Sequence, residues 1–221
     1  MFKDRRDAGR RLAACLSELS NLEDVVVLGL PRGGVVVAFE VARHLDAPLD
    51  VFIVRKLGVP GFEELAMGAI ASGGIVVVNE DVVRAAGISR ETFQMVAARE
   101  QEELARRERA YRGQRPGLEV RGRSVIVVDD GLATGASMQA AVEGLRRQDA
   151  ARIIVAVPVA ARATAEALRH SVDDLIAVYL TDYLDGIGSW YEDFRQTSDD
   201  EVRELLRMAS QMLHQASPTS G

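Results

Sequence analysis

Short runs of apolar, largely β-branched residues punctuate the chain at positions 25–28, 51–54, 75–78, 125–128, 153–157 and 175–179. With no polar residue to turn toward water, such a run fits a strand covered on both faces. Between most of them the pattern changes to the helical period. In the first segment, 4–19, Ala8, Leu12, Leu16 and Leu19 fall on one face with arginines opposite, and further helices are expected over 35–45, 90–112, 135–148 and 162–169. Strands alternating with helices pair in parallel through crossovers. The expected architecture is therefore α/β, a mostly parallel, twisted sheet with helices on both faces. At 221 residues and 48% hydrophobic content the chain can bury a sizeable core, and a single domain over 1–215 with a frayed tail at 216–221 is expected.

In open sheets of this kind ligands bind beyond the carboxyl ends of the strands, which directs attention to the loops there. The run 125–128 ends in DDGLATGAS. Asp129 and Asp130 sit where the strand leaves the sheet, Gly131 and Gly135 allow close backbone approach, and Thr134 and Ser137 offer hydroxyls. The helix that follows presents unpaired N–H groups and a positive dipole end. That order suits an anion held by the turn and a diol held by the acids. The loop 29–34, GLPRGG, lacks the Lys-Ser/Thr of a P-loop and the spacing of a G-x-G-x-x-G dinucleotide turn. It is still a strand, a glycine turn and a helix start, with Arg32 at its apex. Alone it reads equally as an ordinary tight turn; beside a second anion turn it reads as an anion site. Arg55 and Lys56, in the RKLG that follows 51–54, are expected at the same edge, forming a cationic patch suited to a polyphosphate.

VIVVDDGLATGAS resembles the signature of the type I phosphoribosyltransferases, which use 5-phosphoribosyl-1-pyrophosphate: an apolar run, two acids, then a small-residue loop ending T-G-x-S/T. LGLPRGGVVVAFEVA resembles that family's pyrophosphate loop, and VRKLGVPGFEELAMGAI resembles segments of an uncharacterised bacterial branch. The likeness runs from 25 to about 201. It implies the type I phosphoribosyltransferase fold, with a small C-terminal hood over 180–200 and a helical insertion over 79–124. It also implies transfer of the phosphoribosyl group to a nitrogenous base, purine-like in preference to pyrimidine, with release of pyrophosphate and a place in nucleotide salvage. By the same resemblance, Asp129 and Asp130 would hold the ribose hydroxyls and a magnesium ion. Ala133, Thr134, Gly135, Ala136 and Ser137, with Gly131, would bind the 5-phosphate. Leu30, Pro31, Arg32 and Gly33 would line the pyrophosphate, with Arg55 and Lys56 alongside. Catalysis would rest on Asp129, Asp130, Arg32 and Lys56, which face the developing cation and the leaving anion. The family's pyrophosphate loop often contains a cis peptide; Leu30–Pro31 is the candidate bond, with trans expected.

Acceptor choice falls to TDYLDGIGSWYEDF, where TD replaces the family's usual PD. Tyr183 or Trp190 would stack on a base and Asp193 would accept from an exocyclic amine; packing of these aromatics against the sheet is the competing reading. In the insertion, Glu102/Arg106, Glu103/Arg107 and Glu108/Arg112 have i, i+4 spacing, which suits either a solvated helix or a lid whose arginines reach a phosphate. A formal net charge of −6 argues against non-specific nucleic-acid binding. No apolar run approaches the roughly 18 residues that span a bilayer, and the charged first segment is unlike an export signal. With one cysteine there is no intrachain disulfide, so the cytoplasm is the expected compartment. Cys15 is expected to be a buried structural thiol, and His44 and His170 to be structural at helix ends. The expected partners are the phosphoribosyl donor and a base, with no nucleic acid or membrane; a homodimer stays open. The alternative is a ligand-binding or regulatory module of the same fold without turnover, against which stand the retained LPRGG and RK.

Overall fold

A computed structural model describes residues 1–22 and 24–216. In chain order the elements are α1 (Arg5–Cys15), β1 (Val25–Gly29), α2 (Gly33–Leu45), β2 (Leu49–Val51), β3 (Val54–Val59), β4 (Phe62–Ala71), β5 (Ile75–Val78), α3 (Glu80–Ala85) and α4 (Arg90–Arg112). There follow β6 (Ser124–Val128), α5 (Ala136–Arg146), β7 (Arg152–Ala161), α6 (Arg162–Arg169), β8 (Asp174–Thr181) and α7 (Asp199–Ala216). Five strands form one parallel sheet of order β2-β1-β6-β7-β8, and β3-β4-β5 form a separate antiparallel sheet.

The alternation along β6 shows why its residues are all apolar. Val125 and Val127 enter the cluster built with Met138, Ala141 and Leu145 of α5 and Leu168 of α6. Ile126 and Val128 point the other way, into the cluster with Leu12 of α1 and Val37 and Val41 of α2. Both faces are covered, as a doubly wound parallel sheet requires. A third cluster joins Val35 and Phe39 on the outer side of α2 to Leu57, Met67 and Ile70 of the small sheet, Leu104 and Tyr111 of α4, and Val202, Leu205 and Leu206 of α7.

Several expectations change. The run 51–54 is not one strand: β2 ends at Val51 in the parallel sheet, and β3 begins at Val54 in the antiparallel one. Ser72 secures the departure, its hydroxyl accepting the Ile53 N–H at 2.9 Å and its N–H donating to the Ile53 carbonyl at 2.8 Å. The insertion therefore begins at β3 and not at 79, and the run 75–78 is an antiparallel strand of it. The 79–124 stretch also holds α3, begun by Asn79 accepting from the Val82 N–H. The first helix stops at Cys15 and continues as a 3-10 turn, Ser17–Asn21. Cys15 is exposed because the buried stripe runs through Ala8, Leu12 and Leu16. His44 lies in the last turn of α2, its Nε2 3.2 Å from Ser17 Oγ, and His170 caps the end of α6. α7 runs through Ala216, the first residue of the expected frayed tail; residues 217–221 lie outside the described residues. Among the described residues no helix is long and apolar enough to cross a membrane.

Candidate active site

β1 and β6 are neighbours in register, Gly29 opposite Val128, so the turns that follow them leave the sheet at the same height. The Leu30 N–H donates to the Val128 carbonyl at 2.9 Å, tying one turn to the root of the other. Glycine is required at the joint: a Cβ on Gly33 would lie 2.0 Å from Asp130 Oδ2, and one on Gly34 would lie 2.8 Å from Asp129 Cα. The N-termini of α2 and α5 thus open on one rim, with the two acids between them. The cis peptide of the first turn is Pro31–Arg32, one bond beyond the Leu30–Pro31 candidate.

The two acids differ. Asp129 accepts the Asp130 N–H at 2.8 Å, and burial followed by the charge of Asp130 pushes its carboxyl well above the usual range. Asp130 is paired, its Oδ2 2.8 Å from the Nε of Arg5 in α1. Its carbonyl accepts from the Tyr191 hydroxyl at 2.6 Å, and burial followed by the charge of Asp130 raises that phenol.

Beyond the acids, Gly135 adopts φ +76°, a left-handed conformation, and a Cβ there would meet Thr164 Cγ2 at 2.6 Å. Thr164 Oγ1 in turn donates to the Ala133 carbonyl at 2.5 Å. Thr134, Ala136 and Ser137 are left exposed at the start of α5. A cavity of about 310 Å³ adjoins this turn, lined by Thr134, Gly135, Gln139 and Thr164.

The cations do not gather as expected. Successive side chains on a strand face opposite ways, and Arg55 and Lys56 are successive on β3. Arg55 donates through Nε to Glu100 of α4 at 2.7 Å and lies 4.0 Å from Glu103. Lys56 is exposed and pairs in register with Ala69, which lines a cleft of about 460 Å³ together with Ala136 at the start of α5. The two do not form one patch. Arg32 Nη1 lies 3.8 Å from Asp199, the first residue of α7, whose carboxylate also accepts from the Tyr111 hydroxyl at 2.7 Å. Burial and then that carboxylate push the Tyr111 phenol up to about 12.

In the insertion helix Arg106 and Arg107 both pair with Glu103, and Arg112 turns inward to Asp50 as well as to Glu108. Leu104 and Tyr111 anchor this helix in the third cluster. In the hood the Trp190 ring lies 5.5 Å from that of Tyr179, partly buried against the cluster of Phe2 and Tyr191. Tyr183 is 87% exposed. Asp193 pairs with Arg195 at 2.7 Å, and that hydrogen bond brings its carboxyl down to about 2.

The Phosphoribosyl transferase domain family matches residues 2–182. The chain belongs to this family. Curated relatives from two strains of Mycobacterium tuberculosis, provisionally named phosphoribosyl transferases, are 44% identical to this chain over 209 residues, which cover 95% of it and 47% of each of them. The chain thus spans about half the length of the curated relatives it matches. TT1426 of Thermus thermophilus, a solved structure, is 43% identical with a TM-score of 0.83, covering 93% of this chain and 97% of its own. A hypothetical protein from Neisseria gonorrhoeae, solved with bound ppGpp, shares the fold at 14% identity and a TM-score of 0.51, covering 94% of this chain and 96% of its own. The architecture is the type I phosphoribosyltransferase fold.

Arg5, Tyr191, Asp199 and Tyr111 touch the rim and were not singled out in the sequence. Only α7 left a readable signal, Val202, Leu205, Leu206 and Ala209 at helical spacing behind an acidic start.

Proposed function

We propose that this domain transfers the phosphoribosyl group of 5-phosphoribosyl-1-pyrophosphate to a ring nitrogen of a base, purine-like in preference to pyrimidine, releasing pyrophosphate. The observation that carries the reading is the contact of the two turns at Gly33 and Asp130, which gives a doubly phosphorylated pentose one anion turn for each end and a diol acceptor between them. Thr134 to Ser137 at the start of α5 take the 5-phosphate, and Asp129 and Asp130 accept from the ribose hydroxyls. Arg32 and the backbone of Leu30, Pro31 and Gly33 bind the leaving pyrophosphate, with Lys56 approaching from the small sheet. As the bond from the anomeric carbon to pyrophosphate breaks, its electron pair leaves on the pyrophosphate oxygen; the acceptor nitrogen supplies the new pair and loses its proton. The acids stabilise the intervening cationic character, and closure of the rim excludes water.

Asp129 and Asp130 offer the hard carboxylate oxygens that magnesium prefers, and pyrophosphate supplies the rest of such a shell. When bound, the ion neutralises charge on the leaving pyrophosphate. Tyr183 is open for stacking on the acceptor, and Asp193 stands ionised on the same hood segment.

The test is a magnesium-dependent screen of bases and amines for pyrophosphate release. Release with a purine and not with pyrimidines supports the reading in full; release with another acceptor corrects the acceptor alone. Donor binding with no release for any acceptor favours the second reading, a binding or regulatory module. That reading draws on Arg32 and Arg55, both already facing carboxylates in the chain.

A further inference from the structure

Arg5 opens α1, whose arginines by helical period belong on the solvent side. Its side chain is nevertheless only 11% exposed, and that of its partner Asp130 only 13%. The guanidinium joins three segments distant in sequence. Its Nε donates to Asp130 Oδ2 at 2.8 Å, its Nη1 donates to the Arg195 carbonyl at 2.7 Å, and its carbon lies 3.8 Å over the Phe194 ring. Gly33 of the pyrophosphate turn is pressed against the same pair, since a Cβ there would lie 2.6 Å from Arg5 Nε. Arg5 is also a wall of the cavity of about 430 Å³ whose other side is formed by Asp193, Arg195 and Thr197.

The geometry points to Arg5 as a positioning residue of the ribose site: its planar fork fixes the Asp130 carboxylate against the pyrophosphate turn and ties it to the hood at Phe194 and Arg195. The inference rests on the reading of Asp130 as a ribose acid. Two adjacent carboxylates repel each other, and without a partner the outer one is free to swing from the position a diol needs. Arginine suits the task because one flat group donates in two directions while stacking on a ring; the ammonium of lysine is a point charge without that fork.

The test is calorimetry with three probes in the presence of magnesium: 5-phosphoribosyl-1-pyrophosphate, ribose 5-phosphate and inorganic pyrophosphate. It uses the wild-type chain, Arg5→Met and Arg5→Lys, each checked by thermal melting. Loss of a residue that orients a ligand group commonly costs ~10- to 100-fold, and that loss is expected for both ribose ligands in Arg5→Met, with pyrophosphate affinity nearly unchanged. Arg5→Lys is expected to recover part of the loss while melting like the wild type, an outcome that holds even if Arg5→Met fails to fold. Wild-type affinity for ribose 5-phosphate in either variant, or equal loss of all three probes, overturns the inference. A wild-type chain that binds neither ribose ligand instead overturns the ribose reading itself, and the role of Arg5 with it.

Discussion

Asp129 accepts the N–H of Asp130 while that neighbour's charge and its own burial raise its carboxyl. A carboxyl raised on folding holds its proton more tightly in the folded chain. Its contribution to stability is then lost as pH climbs from the unfolded value through the folded one. Asp129→Asn keeps an oxygen acceptor and removes the charge, so the metal-free protein is expected to melt higher at neutral pH. The gain, roughly 2–4 °C for each kcal/mol in a chain of this size, is expected to vanish toward acid. The same substitution combined with Asp130→Asn is expected to abolish 5-phosphoribosyl-1-pyrophosphate binding with the circular dichroism unchanged; retained affinity discards the ribose assignment. Arg32 argues in the same way for the other anion. Arg32→Ala is expected to weaken pyrophosphate by about 1.5–3 kcal/mol, the range for hydrogen bonds to charged groups, and ribose 5-phosphate far less. Equal loss of the two ligands in titrations counts against its placement.

Among the elements, α7 links core to rim. Asp199 at its start meets Tyr111 and faces Arg32, while Val202, Leu205 and Leu206 fill the third cluster between α2 and α4. Leu205 is 1% exposed, and Leu205→Ala is expected to cost about 2–5 kcal/mol by the cavity it leaves, read as a lower denaturant midpoint with an unchanged slope. A cost below that of a surface substitution would mean that α7 packs elsewhere. The strand β3 makes the complementary point. Its two cations do not form one patch, because a strand sends neighbours to opposite faces, and Glu100, 8% exposed, engages Arg55. Had 54–59 been recognised as strand, the separation of Arg55 from Lys56 followed from period alone.

At the scale of the molecule, the three clusters share walls. β6 divides the first from the second through alternate residues, and α2 contributes Val37 and Val41 to one cluster and Val35 and Phe39 to another. The parallel sheet and the inserted antiparallel sheet are therefore expected to unfold together, as a single calorimetric transition with equal calorimetric and van't Hoff enthalpies. Two resolved transitions would show that the insertion is an independent unit. At the rim the arginines already face acids, Arg5 bonded to Asp130 and Arg32 3.8 Å from Asp199, in keeping with a chain of acidic net charge.

The residues alone determined what depends on neighbours in sequence. Continuous apolar runs marked four of the five strands of the parallel sheet, the helical period marked most of its helices, and glycine, acid and hydroxyl spacing marked the two turns at 29–34 and 129–137. Local backbone preference and side-chain periodicity act over a few residues, so they can be read without a fold. Tertiary structure decided what depends on the path of the chain between distant segments. It split 51–54 between two sheets, with β2 ending at Val51 and β3 beginning at Val54. It also brought Arg5 to Asp130 across a separation of 125 residues, and Tyr191 to the same turn. Such partners leave no periodic trace, since each contact exists only once β1 and β6 lie side by side and the hood has returned to their carboxyl ends.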